Sequence, residues 1–255
     1  MPLPIWSGEP PEGRAIVVVG EEGFGDMIQM ARFLPALADR GAVVTVVVPQ
    51  QLSRLLASIP GVTTVVGVSP EAFAFWVPLM ALPQLLGVSR VDGRPYLRAP
   101  SSGPRLASSE DLTVGMAWRG RKAHPNDARR SLDLDSIARL LSTPGVRFVS
   151  LDPSEAPSPM LSVPLADFAD TAFVMRQLDL VISVDTSTAH LAGALGVPAW
   201  VFLADTPEWR WGVAGKESAW YESLRLYRCE TSEDRAAVVA AMAADLVDLA
   251  RRRKR

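Results

Sequence analysis

Val184-Asp185-Thr186-Ser187-Thr188-Ala189-His190-Leu191-Ala192-Gly193-Ala194-Leu195-Gly196-Val197-Pro198 decides the fold of this chain. An apolar, β-branched run at 180–183 precedes it, and Ala199–Leu203 is a second such run behind it. The order is strand, polar turn, short helix, turn, strand. Hydroxyl residues at the helix start are capping types, and Gly196 followed by Pro198 is a stop signal. A helix that begins at the carboxyl end of a parallel strand presents free backbone N–H groups and the positive end of its dipole. That is a place for phosphate. Asp185 and His190 beside it suggest a nucleotide-sugar site rather than a bare turn.

The same alternation extends in both directions. Upstream, Ala15–Val19 is a short strand. Met27, Met30, Ala31, Leu34, Leu37 and Ala38 then recur at helical spacing until Gly41. Residues 43–48 form a nearly continuous apolar strand, as expected where both faces are covered. A helix over 52–58 and strands over 62–68 and 73–77 follow. Residues 98–111 are rich in Ser, Pro and Gly and read as a linker. Beyond them the spacing predicts strands at 113–118 and 146–151, and helices at 135–141 and 167–177. A final helix spans 232–251, with Val238, Val239, Met242, Leu246 and Leu249 near one face. The pattern predicts an α/β protein of two parallel-sheet halves, over 1–100 and 112–231, whose strand ends face a central cleft.

Composition excludes several classes. The 255 residues are 48% hydrophobic and carry a net charge of about −2, which gives no general attraction to nucleic acid. The basic run Arg251-Arg252-Arg253-Lys254-Arg255 reads as a frayed, solvated helix end. A single cysteine, Cys229, permits no internal disulfide, and it reads as structural because no histidine accompanies it. His124 and His190 are the two histidines, and no Cys/His spacing suits a metal. With no leader-like N-terminal pattern and no apolar run of bilayer length, a cytoplasmic location is expected, and peripheral membrane contact is left open.

Gly20-Glu21-Glu22-Gly23-Phe24-Gly25-Asp26 stands between the first strand and first helix. It is not a dinucleotide loop. Ile28 occupies the place of the third glycine, and the second strand ends in Val48-Pro49-Gln50 without a ribose-binding acid. Gly23 and Gly25 instead let a ligand approach the backbone. Asp26 then sits in the first helical turn facing the cleft. The spacing admits two roles for it equally, a general base and an N-terminal capping carboxylate.

Several ordered motifs together resemble glycosyltransferase family 9, the heptosyltransferase-like domains often found behind bacterial tetratricopeptide repeats. They are the run from Gly20 through Arg32, Trp118-Arg119-Gly120 through His124, Asn126-Asp127 with Arg130-Ser131, the Ser183–Gly193 region, and Asp205 to Trp211. The resemblance implies a GT-B fold of two Rossmann-like domains, with the helix over 232–255 packing back toward the N-terminal, acceptor-side domain. It implies inverting, metal-independent transfer from a nucleotide-sugar, which is a substrate, so that no cofactor is expected. On this reading Asp26 deprotonates the acceptor hydroxyl, and Thr186, Ser187, Thr188 and the following amides hold the diphosphate. Asp185 and His190 orient the donor, while Arg130, Lys122 and Arg119 neutralise the leaving group. His124, Trp209 and Arg210 join Gly23 and Gly25 as further cleft residues. The acceptor, whether glycan, lipid or protein, is not specified.

The chain departs from the family pattern at Arg119-Gly120-Arg121, where relatives commonly carry Ser-Gly-Asn, and at Glu22, where they carry Gln. A second reading follows: a catalytically inactive module of the same fold that binds nucleotide sugar, glycan or a protein partner. Asp133-Leu134-Asp135 has the spacing of a metal-binding carboxylate pair, but the apolar periodicity behind it makes it a helix cap.

Overall fold

The computed structural model describes residues 3–121, 126–154 and 156–254. Two parallel sheets organise the chain, as expected. The first half runs β1 (Ala15–Val19), α1 (Phe24–Met30), α2 (Leu34–Asp39), β2 (Val43–Val47), α3 (Gln50–Leu56), β3 (Val62–Val65), β4 (Phe75–Pro78) and α4 (Leu82–Leu85). The second runs β5 (Leu112–Ala117), α5 (Asp127–Arg130), α6 (Leu134–Leu141), β6 (Val146–Ser150), α7 (Phe168–Met175), β7 (Leu180–Val184), α8 (Ser187–Leu195), β8 (Ala199–Leu203), β9 (Leu224–Arg228) and α9 (Arg235–Arg253). Strand order is β3-β2-β1-β4 in the first sheet and β6-β5-β7-β8-β9 in the second, and all named pairs are parallel.

The central strands explain themselves. Every residue of β5 and β7 is buried, because helices cover both faces and leave no polar side to alternate with. The strand expected over 62–68 stops at Val65. β9 has no counterpart among the sequence expectations. Asp133 caps α6, its carboxylate accepting from the Ser136 amide at 2.7 Å, as the periodicity implied.

The halves meet helix to helix. One continuous core holds Met27 and Ile28 of α1 together with Ala189, Leu191 and Ala192 of α8. Phe24 meets Phe168 edge-on with ring centroids 5.2 Å apart. Arg54 of α3 bridges to Asp167 at 2.7 Å and to Asp170. The connecting segment is strapped down before it enters the second sheet. The amides of Tyr96 and Leu97 both donate to the Ala194 carbonyl at 2.9 and 3.0 Å. The Tyr96 hydroxyl donates to the Ile28 carbonyl at 2.7 Å. Farther on, Gln177 accepts from the Leu106 amide and donates to the Pro104 carbonyl. The expected linker is therefore fastened to the second half.

The terminal helix corrects an expectation. α9 packs on α6 and β9 of the second half, not back toward the N-terminal domain. Its buried face, Val239, Met242, Leu246 and Ala250, closes a second core with Ile137, Leu140 and the outer side of the second sheet. The basic end is not simply solvated either. Arg253 pairs with Asp179 at 2.5 Å and Lys254 with Asp111 at 3.3 Å. Among the described residues, no helix is long and apolar enough to cross a membrane.

Candidate functional site

The site forms where α1 and α8 begin. Gly25 makes the approach possible: a Cβ there would lie 2.8 Å from His190 Cδ2 and 3.5 Å from Ser187 Cα. No side chain fits between the two helices at that point, so the glycine serves helix packing as well as access. Gly23 is the N-cap of α1, and its amide donates to Asp26 Oδ2 at 3.0 Å. Asp26 thus performs the capping role that its spacing allowed. Its other oxygen, Oδ1, lies 2.6 Å from the Arg210 guanidinium.

Arg210 arrives from the second half on a short turn, Trp209–Trp211. Its side chain is about nine-tenths buried and also donates to Gln29 Oε1 at 3.0 Å. Gln29 lies one helical turn beyond Asp26, fully buried on a helix whose neighbours Met27, Ile28 and Met30 are apolar. Three residues anchor the turn. Trp211 stacks on His190 with centroids 5.1 Å apart, and the Trp211 and Gly212 carbonyls accept from Arg228. Trp209 is exposed and rests edge-on against Trp220.

The β7–α8 turn supplies the other wall. Thr186 is the N-cap of α8, yet its side chain makes no capping hydrogen bond. Its hydroxyl turns back toward Ser183 Oγ at 3.2 Å and the Val184 carbonyl at 3.4 Å. The first-turn amides, including those of Ser187 and Thr188, are therefore left uncapped by the residue best placed to cap them. Arg130 donates to the Asp185 carbonyl at 3.0 Å, which places a second guanidinium at this turn. Asp127 steadies Arg130 at 3.5 Å. The Asp185 side chain is buried, and burial holds its carboxyl above the usual range, with Trp211, Arg210 and Arg130 pulling the other way.

His190 is placed in the interior rather than at the surface of the site. It is 2% exposed, its Nδ1 shares a hydrogen with the Tyr221 hydroxyl at 2.9 Å, and one ring face lies on Trp211. Burial holds its pKa well below 6.5, with Arg210 and Arg32 adding to the effect, so the ring stays neutral. The geometry gives it a packing role between α1 and α8. Tyr221 is buried with it, its hydroxyl pushed well above the ordinary range by desolvation.

The structure brings Gly23, Gly25, Asp26, Arg130, Asp185, Thr186, Ser187, Thr188 and Arg210 to one locus, with Trp209 on its rim. The described contacts of Arg119 lie to one side of this locus. Its guanidinium is held by Asp152 at 2.7 Å and by Ser154 at 3.2 Å. It lines a groove of about 620 Å³ beside α5, together with Trp118, Asp127 and Ser131. Lys122 and His124 lie outside the described residues. Among the described residues, no three His, Cys, Asp or Glu side chains converge as a metal site. Sequence reasoning quoted Gln29 and Asp127 within motifs without giving them a role, and passed over Tyr221. A lone polar residue on the apolar face of α1 was the available signal for Gln29, and nothing comparable marks Tyr221.

No protein-family profile matches the chain. FlbA of Caulobacter vibrioides is 24% identical over 270 residues, an alignment covering 88% of this chain and 45% of FlbA. The chain thus spans about half the length of that curated relative. Among solved structures, the iron-containing dodecameric glycosyltransferase TibC of enterotoxigenic E. coli superposes with a TM-score of 0.68 at 12% identity, covering 94% of this chain and 77% of TibC. TibC in complex with ADP-D-β-D-heptose gives 0.65 at 14% identity over 96% and 78%. A glycosyl transferase family 9 protein from Veillonella parvula gives 0.56 at 13% identity, over 92% of this chain and 98% of its own. Two parallel sheets, with α1 and α8 meeting between them, give this chain the heptosyltransferase-like, GT-B-type fold of glycosyltransferase family 9.

Proposed function

We propose that this chain is an inverting, metal-independent glycosyltransferase that moves a sugar from a nucleotide-activated donor to an acceptor hydroxyl. The observation that carries the reading is the pairing of Asp26 with Arg210 beside the uncapped start of α8. A carboxylate that can take a proton and a cationic cradle for a diphosphate stand one guanidinium apart. The acceptor O–H gives its proton to Asp26. The oxygen attacks the anomeric carbon from the side opposite the phosphate, the carbon–oxygen bond to phosphate breaks, and the configuration inverts. The nucleoside diphosphate leaves as an anion stabilised by the α8 amides, Arg130 and Arg210.

The donor class follows the company this fold keeps. The TibC complex holds ADP-D-β-D-heptose, and an ADP-activated heptose is the first donor to test here. TibC is described as iron-containing. The described residues offer no cluster fitted to such an ion, so no step is assigned to one and the two arginines carry the charge compensation. The acceptor is a glycan, lipid or protein hydroxyl. A cytoplasmic location belongs to the same reading.

One observation favours the second reading, a non-catalytic module. Both oxygens of Asp26 are engaged, and α1 lies directly on α8. A panel of nucleotide sugars separates the two. Thermal stabilisation with slow release of free nucleotide, abolished in Asp26→Asn, supports the transferase. Binding with no release and no transfer to any acceptor supports the module.

A further inference from the structure

Both oxygens of Asp26 are already engaged in the free protein, so an acceptor hydroxyl must compete with these partners for the carboxylate. Oδ2 takes the Gly23 amide and Oδ1 takes the Arg210 guanidinium. The Gly23 contact is part of the helix start. The Arg210 contact joins two halves of the molecule through a side chain whose backbone turn is fixed by Trp211 and Arg228. Arg210 also has a donor to spare, for its buried Nε has no hydrogen-bond partner among the described groups. Arg130 Nε makes no hydrogen bond either, with the Asp127 carboxylate 3.5 Å away. Two guanidinium groups, each with a buried and unused Nε donor, thus flank a helix start whose N-cap side chain does not cap it.

Charge decides what happens when a diphosphate arrives there. Asp26 offers Arg210 a single carboxylate oxygen. A diphosphate brings several anionic oxygens in the fork-matching geometry that guanidinium prefers. It also meets the dipole of α8, which holds it close to both arginines. We propose that Arg210 is a positioning residue that couples donor arrival to release of the base: it pairs with Asp26 in the free protein and transfers to the donor diphosphate on binding, leaving Asp26 Oδ1 open to the acceptor hydroxyl. This inference rests on the transferase reading above. It adds an order of events, because the base is unmasked only when the leaving group is in place, and it accounts for the engaged state of Asp26 without making the site inert.

A double-mutant cycle on binding tests it. Inorganic pyrophosphate, which carries the phosphate chemistry without a base or sugar, and ADP are titrated calorimetrically into wild type, Asp26→Asn, Arg210→Gln and the double variant. Thermal unfolding first establishes that each is folded. Asp26→Asn frees Arg210 and should tighten pyrophosphate binding by roughly 3- to 10-fold, a gain that structural damage does not produce. Arg210→Gln should weaken it about 10-fold. In the Arg210→Gln background, Asp26→Asn should change affinity by no more than about twofold. Arg210→Lys, which keeps a cation, should recover part of the loss. In wild-type protein the Arg210 Nε–H resonance should shift on adding pyrophosphate, a readout independent of any variant. An equal effect of Asp26→Asn in both backgrounds, or an unmoved Arg210 signal in protein that binds pyrophosphate, overturns the coupling and leaves the donor site standing. Wild type that binds neither pyrophosphate nor ADP overturns the donor site itself, and the coupling with it.

Discussion

Replacing Gly25 by alanine probes the contact on which the whole site is built. The new methyl group falls 2.8 Å from His190 Cδ2, well inside van der Waals distance. The imidazole has nowhere to retreat, since Tyr221 holds its Nδ1 and Trp211 covers a face. Either the ring tilts off its hydroxyl partner or α1 lifts from α8. Overpacking of this kind costs about 1–3 kcal/mol. Alanine gains up to about 1 kcal/mol over glycine in a helix interior, and less in a first turn. The net expectation is a loss of about 1–2 kcal/mol, or a fall of roughly 3–6 °C in Tm for a chain of this size. Urea and thermal unfolding of the variant measure it. Gly67→Ala is the control, because no atom lies within 4 Å of a Cβ there, and it should be neutral or slightly stabilising. In a His190→Ala background the clashing atom is gone, and Gly25→Ala should then cost under about 0.5 kcal/mol. A Gly25→Ala protein as stable as Gly67→Ala, or an equal cost in both backgrounds, refutes the account of how the halves are joined.

Asp26→Asn should lower nucleotide-sugar turnover by about 10²- to 10⁴-fold, measured as free nucleotide released in the presence of acceptor; undiminished turnover removes Asp26 from the mechanism. His190 is neutral when folded, because burial depresses its pKa well below 6.5, whereas the unfolded chain protonates it near 6.5. Its stabilising contribution is therefore intact above pH 6.5 and falls by about 1 kcal/mol over the first pH unit below it, continuing toward the folded value. In His190→Gln that part of the slope should vanish from unfolding curves taken between pH 6.5 and 5.5, and an unchanged slope contradicts the assignment. Arg54→Ala removes both bridges to α7, but the guanidinium is half exposed. The loss should be at most about 1 kcal/mol in urea titrations and should shrink further in 1 M salt.

The motif that ordered the second half was readable because it is local. β7, α8 and β8 stand where the apolar runs, the hydroxyl start and Gly196 placed them, with Gly196 in the left-handed region at φ +71°. β9 was not readable for an equally physical reason. It is an edge strand reading Leu-Arg-Leu-Tyr-Arg, its apolar residues interrupted by arginines, and so it has no apolar run to announce it. The direction of α9 turned on which neighbour offers a matching apolar face, and α6 supplies one close by. The candidate site divides the same way. Asp26, Asp185 and the hydroxyl run sit in short motifs with a chemical signature. The Arg210–Asp26 pair spans the two halves, and no spacing rule records which arginine will cross. The burial of His190 depends on Tyr221 and Trp211, which sequence reasoning had no means of setting against it.

The strap at Tyr96 and Leu97 has a consequence for how this protein can admit a ligand. Through the Ala194 carbonyl it holds the far end of α8, and through the Tyr96 hydroxyl it reaches the back of α1. Parting the helices would break the Tyr96 bond to α1, or those to α8, along with the glycine seam. The exchange proposed for Arg210 suits such a seam, because a guanidinium can swing and bare a carboxylate without the two helices parting.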